Sequence, residues 1–335
     1  MADDVSRPVT ISFIAESAGV SVPTVSKVIN GRSGVAAGTR ARVEELITRY
    51  GYRKTAPAQR SDVLELVFEQ LEHQWSIEII RGVQRVVRGN GLGLVLTEFG
   101  PDRSTIRYWI DDTLARRPAC VVSVAQLSSG ERDQLRARGI PFVVLDPIVE
   151  LPDDVPFVGA TNWSGGRAAT RHLIQLGHHR IAMIAGPGHL FDLARLDGYR
   201  SALRSAGIEV RDDLIVTTPL TQEHGQVAAL QLLNRPDRPT AVFTCNDLQA
   251  IGVYQTARAL GLRIPGDLSV VGFDDVPIAA MIDPPLTTVH QPLTEMAAAA
   301  TELALALGRG ETPAQPGIEL ATTLTVRSST AAPAA

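Results

Sequence analysis

Residues 9–30 read VTISFIAESAGVSVPTVSKVIN, a pattern of two short helices about a tight turn. Thr10 can accept a hydrogen bond from an unpaired amide at a helix start. Ile11, Ile14, Ala15 and Ala18 then recur at helical spacing. Gly19 follows the last of them, where a left-handed residue ends a helix and the missing Cβ removes the steric penalty. Ser21 suits the cap of a second helix and Pro23 its first turn, where no amide bond is lost. Val25, Val28 and Ile29 share an inward face, so Thr24, Ser26 and Lys27 point elsewhere. A helix–turn–helix of about twenty residues is the unit that lays its second helix in the major groove of DNA. The same spacing also suits an ordinary αα-hairpin.

Outward from this stretch, a third helix is predicted from about Ala37 to Tyr50, with Val43, Leu46, Ile47 and Tyr50 inward and Gly51 ending it. Charge sets this head apart. Residues 1–60 hold nine Lys/Arg against five Asp/Glu, a balance of +4; the whole chain carries -4, so the remainder carries -8. A basic head on an acidic body is the electrostatic footprint of a DNA-binding module. Arg53–Asp62, RKTAPAQRSD, is polar and basic, with one proline and no periodic apolar face, and reads as a linker. The expected division is a helix-turn-helix domain over 1–53, a short hinge over 54–62 and a larger domain over 63–335.

A chain of 335 residues with 44% hydrophobic content can form two or three domains with sizeable cores. No apolar run has the length of a membrane span, and the N-terminus lacks a basic-then-apolar signal pattern. The two cysteines, Cys120 and Cys245, lie in short apolar runs and read as reduced core thiols. A cytoplasmic protein without a membrane partner is expected. From Val63 the pattern alternates. Strand-like runs are Leu64–Phe68, Leu92–Leu96, Ala119–Val124, Phe142–Leu145, Ile181–Ile184, Leu214–Val216, Ala241–Thr244 and Leu268–Phe273. Helical stretches such as Ile77–Arg88, Ser164–Leu176, Ala194–Ala206, His224–Leu233 and Leu248–Leu260 lie between them. Continuous apolar strands separated by helices mean parallel sheets covered on both faces, and the length calls for two of them. The fold class is therefore α/β, two doubly wound parallel-sheet subdomains behind a small all-α N-terminal domain. Pro284-Pro285 and His290-Gln291-Pro292 break a late stretch that suits a crossover. Ser328–Ala335 reads as a frayed tail, and His178-His179 as a turn and surface feature rather than a metal site.

Several motifs in the right order resemble the lactose-repressor (LacI/GalR) family of transcription factors. The head carries VTISFIAESAGVSVPTVSKVING and VAAGTRARVEELITRYGYR. The body carries EIIRGV at 78–83, NWSGGRAATRHLIQLGHHRIAMIAGP at 162–187, ARLDGYRSAL at 194–203, NDLQAIGVYQTARALGLRIPGDLSVVGFDD at 246–275, PPLTTVHQPLTEM at 284–296 and TLTVRSST at 323–330. The resemblance covers essentially the whole chain. It implies a dimeric repressor whose body is a pair of periplasmic-binding-protein-like subdomains joined by crossovers. One would span about 63–160 and 291–322, the other about 161–290 and 323–330. A small molecule, usually a sugar, would bind in the cleft between them. No cofactor or metal is implied.

For the head, the resemblance places Val22, Pro23 and Lys27 at the outward recognition positions of the second helix. Lysine can donate to guanine O6 or N7, whereas Val22 and Pro23 offer only apolar contact, for instance to a thymine methyl. Ser21, Thr24 and Ser26 would mostly hold phosphates, which position without specifying, Asn30 and Thr39 match backbone-contacting positions, and Thr10 and Arg53 join the DNA-binding set. Two departures stand out. Ala36 occupies a place before the third helix where relatives carry a capping serine. The connector has no leucine, whereas relatives push leucines from a hinge helix into the minor groove. Weak or absent intercalation is expected, with Arg53, Lys54 and Arg60 tracking phosphates instead.

For the cleft, ligands of open α/β sheets sit beyond the carboxyl ends of strands. Trp75 and Ser76 fall there before EIIRGV, Asn162 and Trp163 open one helix, Arg195 opens another, and Asn246, Asp247 and Asp274 follow strands. Aromatic faces pack on the C–H face of a sugar, and Arg and Asp bond its hydroxyls. Each residue has a plain structural alternative. Trp163 could be core or interface, Asn246 and Asp247 could cap a helix, and Arg195 and Asp274 could be an ion pair. Leu220 stands where relatives carry an aromatic ligand contact.

Three function classes follow. The first is a sugar-responsive repressor on a pseudo-palindromic operator. The second is a sugar-binding protein of the periplasmic type with no DNA role, which the basic head and missing signal disfavour. The third is an enzyme. No G-x-G-x-x-G follows a strand, since Gly91-Leu92-Gly93 lacks the third glycine, and no nucleophile elbow occurs. Asp274 and Asp275 are adjacent and diverge rather than face one another as an acid/base pair. No enzyme activity is expected.

Overall fold

The structure, a computed structural model, describes residues 10–29, 33–50, 52, 60–71, 73–100, 106–313 and 315–334. Asn30, Arg53, Lys54 and most of the expected hinge lie outside the described residues. The chain forms two compact units, Met1–Gln59 and Arg60–Ala335.

The first unit holds α1 (Ile11–Ala18), α2 (Val22–Ile29) and α3 (Ala37–Arg49). Thr10 caps α1 by accepting from the Phe13 amide at 3.2 Å. Gly19 takes a left-handed φ of 66°, which lets the Val20 amide return to the Ala15 carbonyl at 3.0 Å and closes the helix. Ile14, Ala15, Ala18, Val25, Val28 and Val43 form the core. Tyr50 departs from its expected inward place: it is 39% exposed, packed edge-on against the equally exposed Phe13 at 5.0 Å. Six small side chains already fill the centre of so small a bundle, and an aromatic ring at the helix end has no room there.

The second unit runs β1 (Ser61–Phe68), α4 (His73–Gly89), β2 (Gly93–Glu98), α5 (Ile106–Arg116), β3 (Pro118–Ser123), α6 (Ser129–Ala137), β4 (Phe142–Leu145) and β5 (Phe157–Ala160). It continues with α7 (Asn162–Gln175), β6 (Ile181–Ala185), α8 (Leu190–Ser205), β7 (Ile215–Thr217), α9 (Gln222–Leu233), β8 (Ala241–Thr244), α10 (Asp247–Ala259), β9 (Ser269–Asp274) and α11 (Ile278–Met281). It closes with β10 (Thr287–His290), α12 (Leu293–Gly308), β11 (Gly317–Leu320) and β12 (Thr323–Thr325). Because β1 starts at Ser61, the last two residues of the expected linker are strand.

Two six-stranded sheets result. The first lobe has order β11-β5-β4-β3-β1-β2, all parallel; the second has order β12-β10-β9-β8-β6-β7, parallel except for the antiparallel β10–β12 pair. Strands buried on both faces explain the unbroken apolar runs, such as FVVL in β4. Leu64, Leu66, Val122 and Val143 pack under α4 and α12, and Val67, Val121 and Val144 pack on the other face with Phe99, Trp109 and Leu135. In the second lobe, α7 and α8 cover one face and α9 and α10 the other. Helices α7 and α8 cross so closely that a Cβ on Gly198 would overlap the Trp163 carbonyl.

The chain crosses between lobes after β5, after β10 and after β11. The first and third crossings are tied together: the Thr322 amide donates to Thr161 Oγ1 at 3.0 Å and the Thr161 amide to the Leu320 carbonyl at 2.9 Å. The tail is not frayed. Ser329 is fully buried, its hydroxyl accepting from the Thr287 amide at 2.7 Å, and the Ala331 amide donates to Ser269 Oγ at 3.0 Å. His178 is likewise no surface residue. It is 1% exposed, with Nδ1 2.8 Å from Thr240 Oγ1 and Nε2 2.9 Å from the Ala331 carbonyl. Buried backbone and imidazole groups must find partners, and here the tail and the histidine supply each other.

Candidate functional site

In the head, Val25 and Val28 fasten α2 to the core, while Val22, Pro23 and Lys27 are exposed. Ser21 and Thr24 sit at the start of α2 with hydroxyls 2.9 Å apart, and Ser21 Oγ also accepts from the Thr24 amide at 3.4 Å. Ser26 and Thr39 are half-buried, and Thr10 is exposed. The helix therefore offers solvent one ammonium, an apolar pair and several hydroxyls. Arg60 is not available to phosphates as expected. Its guanidinium donates to the carbonyls of Gly308 and Gly139, both at 2.7 Å.

In the body, a cavity of about 750 Å³ opens between the lobes, at the carboxyl ends of β1, β3, β4, β6, β7, β8 and β9. Seven of the residues singled out from sequence line it: Trp75, Ser76, Arg195, Leu220, Asn246, Asp247 and Asp274. Asn162 and Trp163 do not. They line a separate hollow of about 480 Å³, beside Glu150 and Glu319. Successive helix residues point about 100° apart, and at the start of α7 this turns Asn162 inward and leaves Trp163 45% exposed, under the Arg167 guanidinium.

Arg195 lies in the second turn of α8 rather than at its start, which Asp192 caps by accepting from the amides of Gly188 and His189 at 3.2 and 3.0 Å. The Arg195 guanidinium is 2% exposed and heavily engaged. Nε donates to Asn162 Oδ1 at 2.9 Å, Nη1 to the Cys245 carbonyl at 2.6 Å, and Nη2 to Gln291 Oε1 at 3.2 Å. It lies 3.6 Å over the Phe273 ring. Asn162 thus serves the cavity indirectly, by fixing Arg195. Asn246 is the N-cap of α10: Oδ1 accepts from the Gln249 amide at 2.9 Å while Nδ2 donates to the Leu220 carbonyl at 2.9 Å. Asp247 is held by Thr288 Oγ1 at 2.6 Å and the Val276 amide at 3.0 Å.

Asp274 lines the cavity at 8% exposure, with Arg195 Nη1 3.5 Å away. Burial lifts its pKa to about 7, Arg195 opposes the rise, and Asp146 and Asp192 add to it. Burial and the Asp274 charge hold Asp247 well above the carboxylate range. Sequence reading missed Asp146, which follows β4 with a φ of 52°, lines the cavity and accepts from Gln291 Nε2 at 3.1 Å. Its pKa is also raised by burial, against Arg195. The strand-end rule applied to FVVL would have found it. Also missed were the apolar walls, Phe191, Ile148, Leu248, Ile251 and Ile278. The lobes meet on both flanks of the cavity, the Ile278 amide on Gln74 Oε1 at 2.8 Å and the Leu190 amide on the Ile148 carbonyl at 2.9 Å. Among the described residues, no group of His, Cys, Asp and Glu could hold a metal ion. Buried acceptors between apolar walls suit a donor-rich ligand with C–H faces.

Two family models match the chain, bacterial regulatory proteins of the lacI family over residues 10–54 and the periplasmic binding protein-like domain over residues 170–330. The ribose operon repressor of Escherichia coli (strain K12) is 33% identical over 295 residues, 86% of this chain and 89% of that one. The chain belongs to the LacI family. Among solved structures, the complex of the transcriptional regulator CelR with cellobiose matches with a TM-score of 0.74 at 33% identity, covering 96% of this chain and 99% of that one. The lac repressor dimer bound to operator and the anti-inducer ONPF matches with a TM-score of 0.71 at 26% identity, over 97% and 100%. As a LacI-family member the chain is a DNA-binding transcriptional regulator, not an enzyme and not a sugar-binding protein without a DNA role. Its fold, a helical head before two parallel-sheet lobes, is that of the family. Among the described residues, no helix is long and apolar enough to cross a membrane.

Proposed function

We propose that the chain is a cytoplasmic repressor whose affinity for a pseudo-palindromic operator is set by a sugar or short oligosaccharide in the interlobe cavity. The observation that carries this reading is the cavity itself, about 750 Å³ at the strand ends, with Asp146, Asp274 and Asn246 beside Trp75 and Phe191. Carboxylates accept from sugar hydroxyls, and flat rings cover the C–H faces. Its relative CelR, solved with cellobiose, supports the same ligand class. The operator-bound lac repressor dimer supports a homodimer that presents two heads to two half-sites. Lys27 reads a base edge, Val22 and Pro23 add apolar contact, and the hydroxyls of Thr10, Ser21, Thr24, Ser26 and Thr39 hold phosphates. Asn30 and Arg53 join the phosphate set. The sugar shifts the body between lobe arrangements only by as much as its affinity for them differs.

The test is fluorescence anisotropy on the promoter of the protein's own gene, titrated with ribose, cellobiose and a panel of other mono- and disaccharides. At least one sugar should change operator affinity tenfold or so, within the usual range of coupling. Lys27→Ala should weaken operator binding by about 1–3 kcal/mol and relax the preference for guanine at the contacted position. Operator affinity indifferent to every sugar, with Lys27→Ala still impaired, removes the sugar and leaves the DNA half standing.

A further inference from the structure

The chain enters the body at Arg60, the first residue of the second unit. Three elements of the first lobe converge on this entry point. The half-buried Arg60 guanidinium donates through Nη1 to Gly308, the last residue of α12, and through Nη2 to Gly139, in the turn after α6, both at 2.7 Å. The next residue is tied to the end of α5: the Ser61 amide donates to the Arg117 carbonyl at 2.8 Å and its hydroxyl to the same oxygen at 3.2 Å. A cation between two helix carboxyl ends meets unpaired carbonyls and the negative end of each dipole. The acceptors are both glycines, and space is tight at one of them: a Cβ on Gly308 would meet Arg60 Nη1 at 3.0 Å, a few tenths of an ångström inside ordinary contact. A planar fork that spans two carbonyls fixes orientation as well as position.

We propose that Arg60 is a positioning residue for operator recognition: it fixes the point and direction at which the chain from the DNA-binding head enters the first lobe, and so sets which half-site spacing the dimer accepts. The inference rests on the dimeric, operator-binding reading above. Two heads on one palindrome bind as a linked pair, and their gain over a single head depends on whether both can engage at once. A rigid entry restricts that gain to one spacing. A loose entry spreads it over several.

The experiment selects an operator from a random-sequence duplex library with the full-length protein. It then measures affinity for that operator, for variants with one or two base pairs inserted or deleted between half-sites, and for a single half-site. Wild type should lose about tenfold or more on the respaced duplexes, since half-site spacing is a geometric constraint. Arg60→Met should lose less than about threefold on them, with half-site affinity unchanged. Arg60→Lys, which keeps the charge but not the fork, should fall between. Gly308→Ala, distant in sequence, should press the guanidinium a few tenths of an ångström away from its carbonyl and partly relax the spacing profile; it decides the matter if Arg60→Met fails to fold. A wild-type spacing profile in Arg60→Met, or in Gly308→Ala where that variant decides, overturns the proposal. So does an equal loss of affinity for all duplexes and the half-site. Wild type indifferent to spacing would instead defeat the dimeric reading, and the proposal with it.

Discussion

Asp274 carries two opposed demands. Its carboxylate faces the cavity, where an ionised acceptor is wanted, yet burial favours the protonated acid and lifts its pKa from 3.8 to about 7. Between those values the unfolded chain has lost the proton and the folded protein holds it, so unfolding releases a proton. Stability attributable to this group is therefore greatest at low pH and falls as pH rises from 3.8 to about 7, by at most about 1.4 kcal/mol per pH unit, then levels off. Asp146 and Asp247, both raised by burial, act with the same sign. In Asp274→Asn, which has no proton to lose, the drop in melting temperature between pH 5 and pH 8 should be smaller than in wild type. An identical drop in both would mean that Asp274 is already ionised at pH 5. Adjacent in sequence but different in role, Asp275 is locked by Arg327 Nη2 at 2.6 Å and His290 Nδ1 at 3.1 Å. No sequence pattern separates the aspartate that meets the cavity from the one that pins the sheet. The left-handed backbone at both, φ 107° and 59°, does so.

At the scale of elements, legibility followed the range of the interactions. Helices α1 and α2 are governed by Thr10, Gly19 and Ser21, all within four residues of what they act on, and their spans could be read directly. Strands β4 and β8 lie within unbroken apolar runs and match the expected Phe142–Leu145 and Ala241–Thr244 residue for residue. By contrast β11, GIEL, is a strand because it lies beside β5, more than 150 residues away. The cavity shows the same division. Strand ends located Asn246 and Asp274, but whether a side chain enters the cavity depends on single steps around a helix, which turned Trp163 away. Arg195, legible either as a ligand contact or as an ion-pair partner, lines the cavity while making three hydrogen bonds to the fold. Ala36 gives an element-scale prediction. Its φ of -55° and ψ of 141° suit an N-cap, yet α3 starts without a side-chain bond. Ala36→Ser should supply one and stabilise the head by about 1 kcal/mol. Urea unfolding followed in the head checks this, and an unchanged midpoint would show the amides of α3 already satisfied.

For the molecule as a whole, charge asymmetry and the change from clustered helices to alternating strands and helices revealed a DNA-binding head on an α/β body. The connector between them is where this chain differs from the leucine-bearing pattern of the family it belongs to. Positions 54–62 contain no leucine. Kinks from wedged side chains run from about 20° upward and require an apolar group between base steps. Operator DNA bound by this protein should therefore bend by less than about 20° at its centre, measured by end-to-end energy transfer on a labelled duplex. A kink well above that would assign the wedge to a residue other than leucine.

Both lobes are completed by residues 317–331, far along the chain from the strands they join. The first requires β11 along β5, and the second requires Ser329 and Ala331 against β9 and His178. The three helices of the head end at residue 49 and have a core of their own. On a translating ribosome the grip is thus free to fold long before the sensor is. Emergence of residues 317–331, rather than any earlier boundary, is the point at which a newborn molecule can first become answerable to its ligand.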